Sequence, residues 1–431
     1  MITGSLEGVH WKESTEVLLG IMLRGFPLRP CSVESYSHFQ SDSRRLAESS
    51  ERTCNLHSGR VIDRVLGPHT TLLRKREAGR LGLSCAAMLN LGSFLFLGLV
   101  CQSVGQYEYY DEYVPPAHME EGGSSPSCAQ ECECPGNFPS AMYCNERNLK
   151  NIPTVPTGIQ YLYLQNNLIE EIKPGVFDNA TDLRWLVLDN NNITSDKIPL
   201  GTIDKLNKLE KLYFSYNKLV KPPGLLSKSL DELKMVGNQL NTFPADTLAG
   251  MESLTSLHLS KNQLTTESIG GAFKGLKSLV LLDLSENKLK KLPTALPASL
   301  LMLYADNNEI ESIPNGYVAK LPLLQYLRVS HNRLADSGIP AGVFNVSSLL
   351  ELDLSFNKLT TIPEINESLE HLYLQVNEIS KFELTNICKF SSAVNYSRLR
   401  TLRLDGNLIK HSNMPDDTVN CLRQASEIIF D

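Results

Sequence analysis

The stretch Leu349-Leu-Glu-Leu-Asp-Leu-Ser-Phe-Asn-Lys-Leu359 decides the fold of this chain. It has the repeat pattern L-x-x-L-x-L-x-x-N-x-L, and eleven copies of this pattern occur in register between Ile159 and Ile409. The asparagines that mark the copies are Asn167, Asn191, Asn217, Asn238, Asn262, Asn287, Asn308, Asn332, Asn357, Asn377 and Asn407. Because no single copy can bury its own leucines, the copies are predicted to stack around one continuous core.

This spacing is typical of leucine-rich repeats, in which each copy supplies one short strand and one turn of a solenoid. The predicted fold is therefore an α/β leucine-rich-repeat solenoid, with a curved parallel β-sheet on its concave face and disulfide caps at both ends. The asparagines are interpreted as structural, because their amides can pair with backbone groups buried in the turns. Strand residues alternate faces, so the residues beside the second and third leucines are expected on the concave surface.

The front of the chain precedes the repeats and shows no such period. The apolar run from Met88 to Val100 is short for a membrane span but suits the core of a signal peptide. We interpret residues 88–105 as a signal peptide cleaved before Gln106, and residues 1–87 as an upstream extension without function or an artefact. The alternative for residues 1–87 is a disordered pro-segment. No second long apolar run follows, so the protein is predicted to be secreted, without a membrane anchor.

Residues 106–127 form an acidic, tyrosine-rich tail that is too polar to pack a core and is predicted to be disordered. Each of its tyrosines stands beside an acidic residue, which favours sulfation in a secreted protein. The candidate sulfotyrosines are Tyr107, Tyr109, Tyr110 and Tyr113. The alternative is a merely acidic linker. The formal net charge of −7 makes nucleic acid an unsuitable partner.

Four cysteines crowd residues 128–158, directly before the repeats, and two more stand near the end of the chain. The first group consists of Cys128, Cys132, Cys134 and Cys144. Their spacing is compatible with a zinc site, but the secretory context favours disulfides. Three pairings of four cysteines are open from the sequence alone. A cap is needed here because the first repeat has an open apolar end, and Ala141-Met-Tyr-Cys144 is expected to supply its first strand.

The segment from Cys134 to Cys144 resembles the cap of the class II small leucine-rich proteoglycans, and Leu402-Arg-Leu-Asp-Gly-Asn407 is similar to the last repeat of that family. The resemblance implies the disulfides Cys128–Cys134 and Cys132–Cys144. It also implies that residues 378–431 form an extended "ear" repeat and C-terminal cap, closed by Cys388–Cys421, after the repeats of residues 159–377.

The resemblance further implies an extracellular-matrix proteoglycan that binds fibrillar collagen and regulates the diameter, spacing and assembly of its fibrils. The alternative is a soluble binding module for growth factors or innate immune receptors. In the family, acidic residues of the middle and last repeats are linked to collagen binding. The candidates here are Tyr304, Asp306, Arg328, Glu351 and Asp353. No cofactor or enzyme activity is expected, because no nucleophile or metal-binding motif occurs.

Seven aromatic residues are predicted on the concave strands: Tyr161, Tyr163, Trp185, Tyr213, Tyr304, Tyr326 and Tyr373. Tyrosine and tryptophan are typical interface anchors. The alternative is that neighbouring tyrosines pack on one another across the strands.

Five Asn-x-Ser/Thr sites are candidate N-glycosylation sites: Asn179, Asn192, Asn345, Asn366 and Asn395. Asn179 and Asn345 resemble family positions that carry keratan sulfate. Two further family positions, near Lys218 and Ser253, lack an acceptor here.

Overall fold

The computed structural model describes residues 128–389, 396–410, 412 and 414–430. All of them belong to one compact unit, Val114–Asp431. Several predictions concern positions outside the described residues and stay untested. They are the upstream extension, the signal peptide, the candidate sulfotyrosines and the glycosylation site Asn395.

The described chain is built around one parallel sheet of thirteen strands in chain order. The strands, each of three residues, are β1 Ala141–Tyr143, β2 Tyr161–Tyr163, β3 Trp185–Val187, β4 Lys211–Tyr213, β5 Glu232–Lys234, β6 Ser256–His258, β7 Leu281–Asp283, β8 Met302–Tyr304, β9 Tyr326–Arg328, β10 Glu351–Asp353, β11 His371–Tyr373, β12 Thr401–Arg403 and β13 Glu427–Ile429. Neighbouring strands pair with their apolar central residues in register, as in Leu352 beside Leu372. The predicted solenoid is confirmed.

Each coil turns at its marker asparagine, whose side chain makes hydrogen bonds to the backbone. Asn308 is an example. Its Nδ2 atom donates to the carbonyl oxygens of Leu284, Ala305 and Asp306 at 3.0, 3.2 and 3.0 Å. Its Oδ1 atom accepts from the Leu289 amide at 2.9 Å. One buried side chain therefore satisfies backbone groups of its own coil and of the coil before it, which fixes the stacking of the repeats.

The core is one apolar cluster that runs from Cys132 in the cap to Leu422 near the end. The convex side has short helical turns instead of long helices. They are the 3₁₀ turns Ser195–Lys197, Val318–Lys320, Asp336–Gly338 and Leu384–Asn386, and the α-helix α1, Thr418–Cys421. Steps of 20 to 26 residues between most of the marker asparagines leave little chain for longer helices.

Disulfides close both ends of the array. The N-terminal cap contains Cys128–Cys134 and Cys132–Cys144, and the C-terminal unit contains Cys388–Cys421. These are the pairs that the family resemblance implies. The expected cap strand is β1, and its free edge is covered by Glu133, which exchanges two backbone hydrogen bonds with Tyr143 at 2.9 and 2.8 Å.

Candidate functional site

The concave face is narrower than the sequence pattern predicts. The first and third residues of most strands are half-buried and point out of the sheet. In some coils the next outward position in sequence turns inward instead. Asp306, Ser330 and Ser355 hold this position and are only 8%, 4% and 2% exposed. The chain has already begun its turn there, so the side chain is covered by the neighbouring coil. The expectation that this position contributes to the surface is therefore wrong for these coils, whereas Gln375 and Asp405 at the same position are half-buried like the strand residues.

Aromatic side chains at the N-terminal end of the face pack on one another. The rings of Tyr143 and Tyr163 stack with centroids 4.9 Å apart, and Tyr161 meets Trp185 edge-on at 5.2 Å. Tyr163 is only 3% exposed as a result. Mutual packing of tyrosines thus accounts for this part of the face, while Tyr161 and Trp185 keep part of their surface accessible.

A charged cluster follows on β4 and β5. The Glu232 carboxylate lies 3.0 Å from Lys211 Nζ and 2.9 Å from Lys234 Nζ, and it accepts a hydrogen bond from the Tyr213 hydroxyl at 2.8 Å. The two ammonium groups lie 4.7 and 4.6 Å from the ring centroids of Trp185 and Tyr213. Burial alone would raise the pKa of Glu232, but Lys234 and the hydrogen bonds lower it to about 2. The single Glu232 carboxylate thus pairs with both ammonium groups, and the cluster keeps one excess positive charge.

The C-terminal half of the face brings together four of the five predicted collagen-binding residues. Arg328 Nε donates to Glu351 Oε1 at 3.0 Å, and its guanidinium lies 5.4 Å from the centre of the Tyr304 ring. Asp353 is the register neighbour of Arg328. The Arg328 side chain is 43% exposed, so this group presents charge and aromatic surface to solvent.

Asp306, the fifth candidate, lies differently. Its Oδ1 atom accepts hydrogen bonds from the Ser330 amide at 2.7 Å and the Ser330 hydroxyl at 2.8 Å. Burial and the nearby Asp353 raise the pKa of Asp306 to about 7. Burial likewise raises the pKa of Asp189, its counterpart in an earlier coil, to about 7. Asp306 therefore links two coils and exposes little of itself to a partner, contrary to its predicted place on the surface.

Two groups near this half were not among the sequence candidates. Arg403 forms a bidentate pair with Asp405 at 3.0 and 2.8 Å. The rings of His331 and Phe356 stack on the rim of the face with centroids 3.9 Å apart. The alternation of strand residues could have indicated Arg403, but the stacking on the rim depends on turn geometry that the repeat pattern does not show.

Four of the five candidate glycosylation sites belong to the described residues, and none of the four is part of a strand. Asn179 is exposed and Asn192 is half-buried. Asn345 and Asn366 are neighbours, with Asn366 Nδ2 donating to Asn345 Oδ1 at 2.9 Å.

The described part of the chain holds neither a metal site nor a membrane span. Among its residues, no cluster of three or more His, Cys, Asp or Glu side chains is arranged to hold a metal ion. No described helix is long and apolar enough to cross a membrane.

The chain matches family models for leucine-rich repeats over residues 157–219, 250–269 and 320–341. Among solved structures, it resembles a chain from an octameric complex of latrophilin 3, Unc5D and the leucine-rich-repeat protein FLRT2. That match has a TM-score of 0.56 and 26% identity, and it covers 70% of this chain and 86% of the other. The fold and the geometry of the sheet thus define a leucine-rich-repeat protein with a continuous concave face.

The proteins that the chain matches in sequence have a higher identity to it than this solved structure. The chain is 50% identical to chicken (Gallus gallus) lumican over 336 residues, which cover 78% of this chain and 97% of that protein. It is 49% identical to bovine (Bos taurus) lumican, covering 79% and 99%. Human (Homo sapiens) fibromodulin is 48% identical, covering 75% and 90%. The chain belongs to the lumican and fibromodulin family of small leucine-rich proteoglycans of the extracellular matrix.

Proposed function

We propose that this protein binds fibrillar collagen through the C-terminal half of its concave face and limits the lateral growth of fibrils. The observation that carries the proposal is the row formed by Tyr304, Arg328, Asp353, Tyr373 and Arg403, which are register neighbours on β8 to β12. Neighbouring strands lie about 4.8 Å apart, so the row is about 19 Å long. It suits a straight, charged, rod-like partner.

The chemistry of the row favours collagen. A triple helix presents lysine and arginine side chains between proline rings along a rigid rod. Glu351, Asp353 and Asp405 supply carboxylates for those cations, and Tyr304 and Tyr373 supply flat surfaces for the rings. Electrostatic complementarity of this kind gives orientation and specificity.

The expected effect on fibrils is steric. The solenoid would cover part of the fibril surface, and hydrated glycans at the candidate asparagines, with keratan sulfate at Asn179 and Asn345, would keep neighbouring fibrils apart. Sulfated tyrosines in residues 106–127 would add negative charge. Secretion through residues 88–105 would deliver the protein to the matrix, and no step requires an enzyme activity.

A second candidate function is recognition of a growth factor or a cell-surface receptor. The structural likeness to a leucine-rich-repeat chain from a complex with latrophilin 3 and Unc5D favours it. Collagen is preferred because the chain is 49–50% identical to lumicans over 97–99% of their length.

The first test measures co-sedimentation with collagen and the turbidity of forming fibrils. The variant Glu351→Gln with Asp353→Ala removes one carboxylate from the row and one that pairs with Arg328 of the row. Alanine is chosen for Asp353 because an asparagine there, two residues before Ser355, would create a new glycosylation site. We expect the variant to bind collagen about tenfold more weakly and to lose its effect on turbidity. Glu252→Gln, which removes an exposed carboxylate off the row, is the control. Equal binding by both variants would exclude the row.

A further inference from the structure

The rim of the concave face carries one residue per coil in a left-handed backbone conformation, directly before the marker asparagine. In four of the seven earlier coils this residue is asparagine or glycine, which tolerate the conformation at low cost, and in the other three it is Tyr216, Lys261 or Glu286. In three consecutive later coils it is His331, Phe356 and Val376, with φ of 49°, 52° and 54°. We call these three residues the rim ridge.

The conformation of the rim ridge is imposed by the stacking of the coils. The amides of His331, Phe356 and Val376 donate to carbonyl oxygens of the next coil at 3.0, 2.9 and 2.8 Å. The backbone must therefore be left-handed whichever side chain is present. The conformation costs a non-glycine residue about 1–2 kcal/mol. Histidine is more often found in this region than most residues, whereas bulky or β-branched residues such as Phe356 and Val376 are rare there.

Burial does not offset this cost. Phe356 is 39% exposed and Val376 is 41% exposed, and His331 is also exposed. The rings of His331 and Phe356 stack, with an angle of 12° between their planes. Val376 follows on the next coil, and beside it stands Gly406, which has no side chain to cover it. The result is a row of three exposed side chains on consecutive coils, two of them apolar, that folding alone does not require, and exposed apolar surface of this kind marks interaction sites.

The rim ridge borders the row proposed to bind collagen. His331 follows Arg328 by three residues, and Phe356 follows Asp353 by three residues. A partner lying on the charged row at these coils would therefore also lie against the rim ridge.

We propose that the rim ridge packs against the imino-acid rings of a collagen triple helix whose cations meet Glu351 and Asp353. This inference rests on the proposed collagen binding and extends it to a second, apolar contact. Proline-rich helices commonly dock their rings on aromatic side chains. Two coil steps span about 10 Å, and three residues of a polyproline-type helix span about 9 Å. The rim ridge therefore matches one Gly-X-Y triplet in length.

The test uses the double variant Phe356→Asn with Val376→Asn. Asparagine adopts the left-handed conformation readily, so the variant is expected to fold and to melt at the same or a higher temperature than the parent protein. Neither change creates an Asn-x-Ser/Thr site. The matched control is Tyr216→Asn, which replaces a bulky residue at the same turn position, φ 55°, in an earlier coil.

Binding to immobilised fibrillar collagen is measured at low and high salt. We expect the double variant to bind about tenfold more weakly at both salt concentrations, because an apolar contact is not screened. The control is expected to bind like the parent protein. A triple-helical peptide of Gly-Pro-Pro repeats, which has no charged side chains, should bind weakly to the parent protein and not to the double variant.

The outcomes separate the two proposals. If the parent protein and the double variant bind collagen equally, the rim ridge is not part of the site, while the charged row stands. If the parent protein does not bind collagen, the proposed function is wrong. Collagen is then also excluded as the ligand of the rim ridge. If the double variant keeps its collagen affinity but loses self-association in sedimentation equilibrium, the rim ridge belongs to a contact between copies and the inference is overturned.

Discussion

At the scale of single residues, the marker asparagines make hydrogen bonds that a smaller side chain cannot replace. Asn308→Ala would leave the buried Leu289 amide without its partner. The carbonyl oxygens of Leu284, Ala305 and Asp306 would each lose one of two hydrogen bonds and keep the one from Asn287, Asn332 and Glu286, respectively. A buried amide left unpaired costs about 1–3 kcal/mol and each lost hydrogen bond costs about 1 kcal/mol, so we expect a loss of about 3 kcal/mol in the free energy of unfolding. Urea denaturation followed by circular dichroism measures it. Exposed Asn207→Ala is the control, and an equal effect of both changes would contradict the structural role.

The buried carboxyl groups of Asp189 and Asp306 make a prediction about pH. Their pKa values in the folded protein are about 7, mainly because of burial, against an ordinary value of 3.8. Between pH 4 and 7 the folded state thus holds protons that the unfolded state has lost. The stability that these groups contribute is present below about pH 4 and falls as the pH rises through 7.

Asp306→Asn should therefore reduce the loss of stability between pH 5 and pH 8, because one of the two groups no longer titrates. Urea denaturation at several pH values gives the comparison, with exposed Asp246→Asn as the control. A pH dependence unchanged in Asp306→Asn would show that Asp306 is ionised in the folded state at pH 5.

Sequence reasoning at this scale predicted the asparagines because each one stands at a fixed offset from its leucines. It misplaced Asp306 because its burial is caused by Ser330 of the next coil, 24 residues away. It also missed the rim ridge. Period-two alternation describes strand residues, whereas His331 and Phe356 lie in turns, where the backbone conformation decides the direction of the side chain.

At the scale of elements, the strands were predictable and the convex turns were not. Each strand is the short segment around the second leucine of a repeat, so the repeat pattern locates it. The number of residues between successive marker asparagines sets where the next strand begins. The convex segments have no such pattern, and their 3₁₀ turns follow from fitting a short connection over the core. The pairing of the cap cysteines needed the family resemblance, since spacing alone left three pairings.

The two cysteine caps differ in the length of chain that they close. Cys388–Cys421 spans 33 residues and Cys128–Cys134 spans 6. In the chain-entropy model the longer loop stabilises the fold by about 3–4 kcal/mol and the shorter loop by about 2 kcal/mol. Replacing Cys388 and Cys421 together by alanine should thus lower the free energy of unfolding more than replacing Cys128 and Cys134. Urea denaturation of both double variants without reductant tests the order, and the reverse order would contradict the entropic argument.

At the scale of the whole molecule, stability resides in the stacked array, because each coil contacts its neighbours and both ends are capped. The alignment with bovine lumican covers 99% of that protein but only 79% of this chain. This coverage agrees with the proposal that the mature molecule lacks residues 1–105.

We therefore predict that the secreted protein begins at Gln106. A protein of residues 106–431 should have the same melting temperature as the full chain and the same affinity for collagen, because it keeps the three disulfides that cap the array and the contacts that form the charged row. Mass spectrometry of protein secreted from cells identifies the first residue. Abundant peptides from residues 1–87 in that material, or a lower melting temperature of the 106–431 protein, would show that the front of the chain is part of the mature molecule.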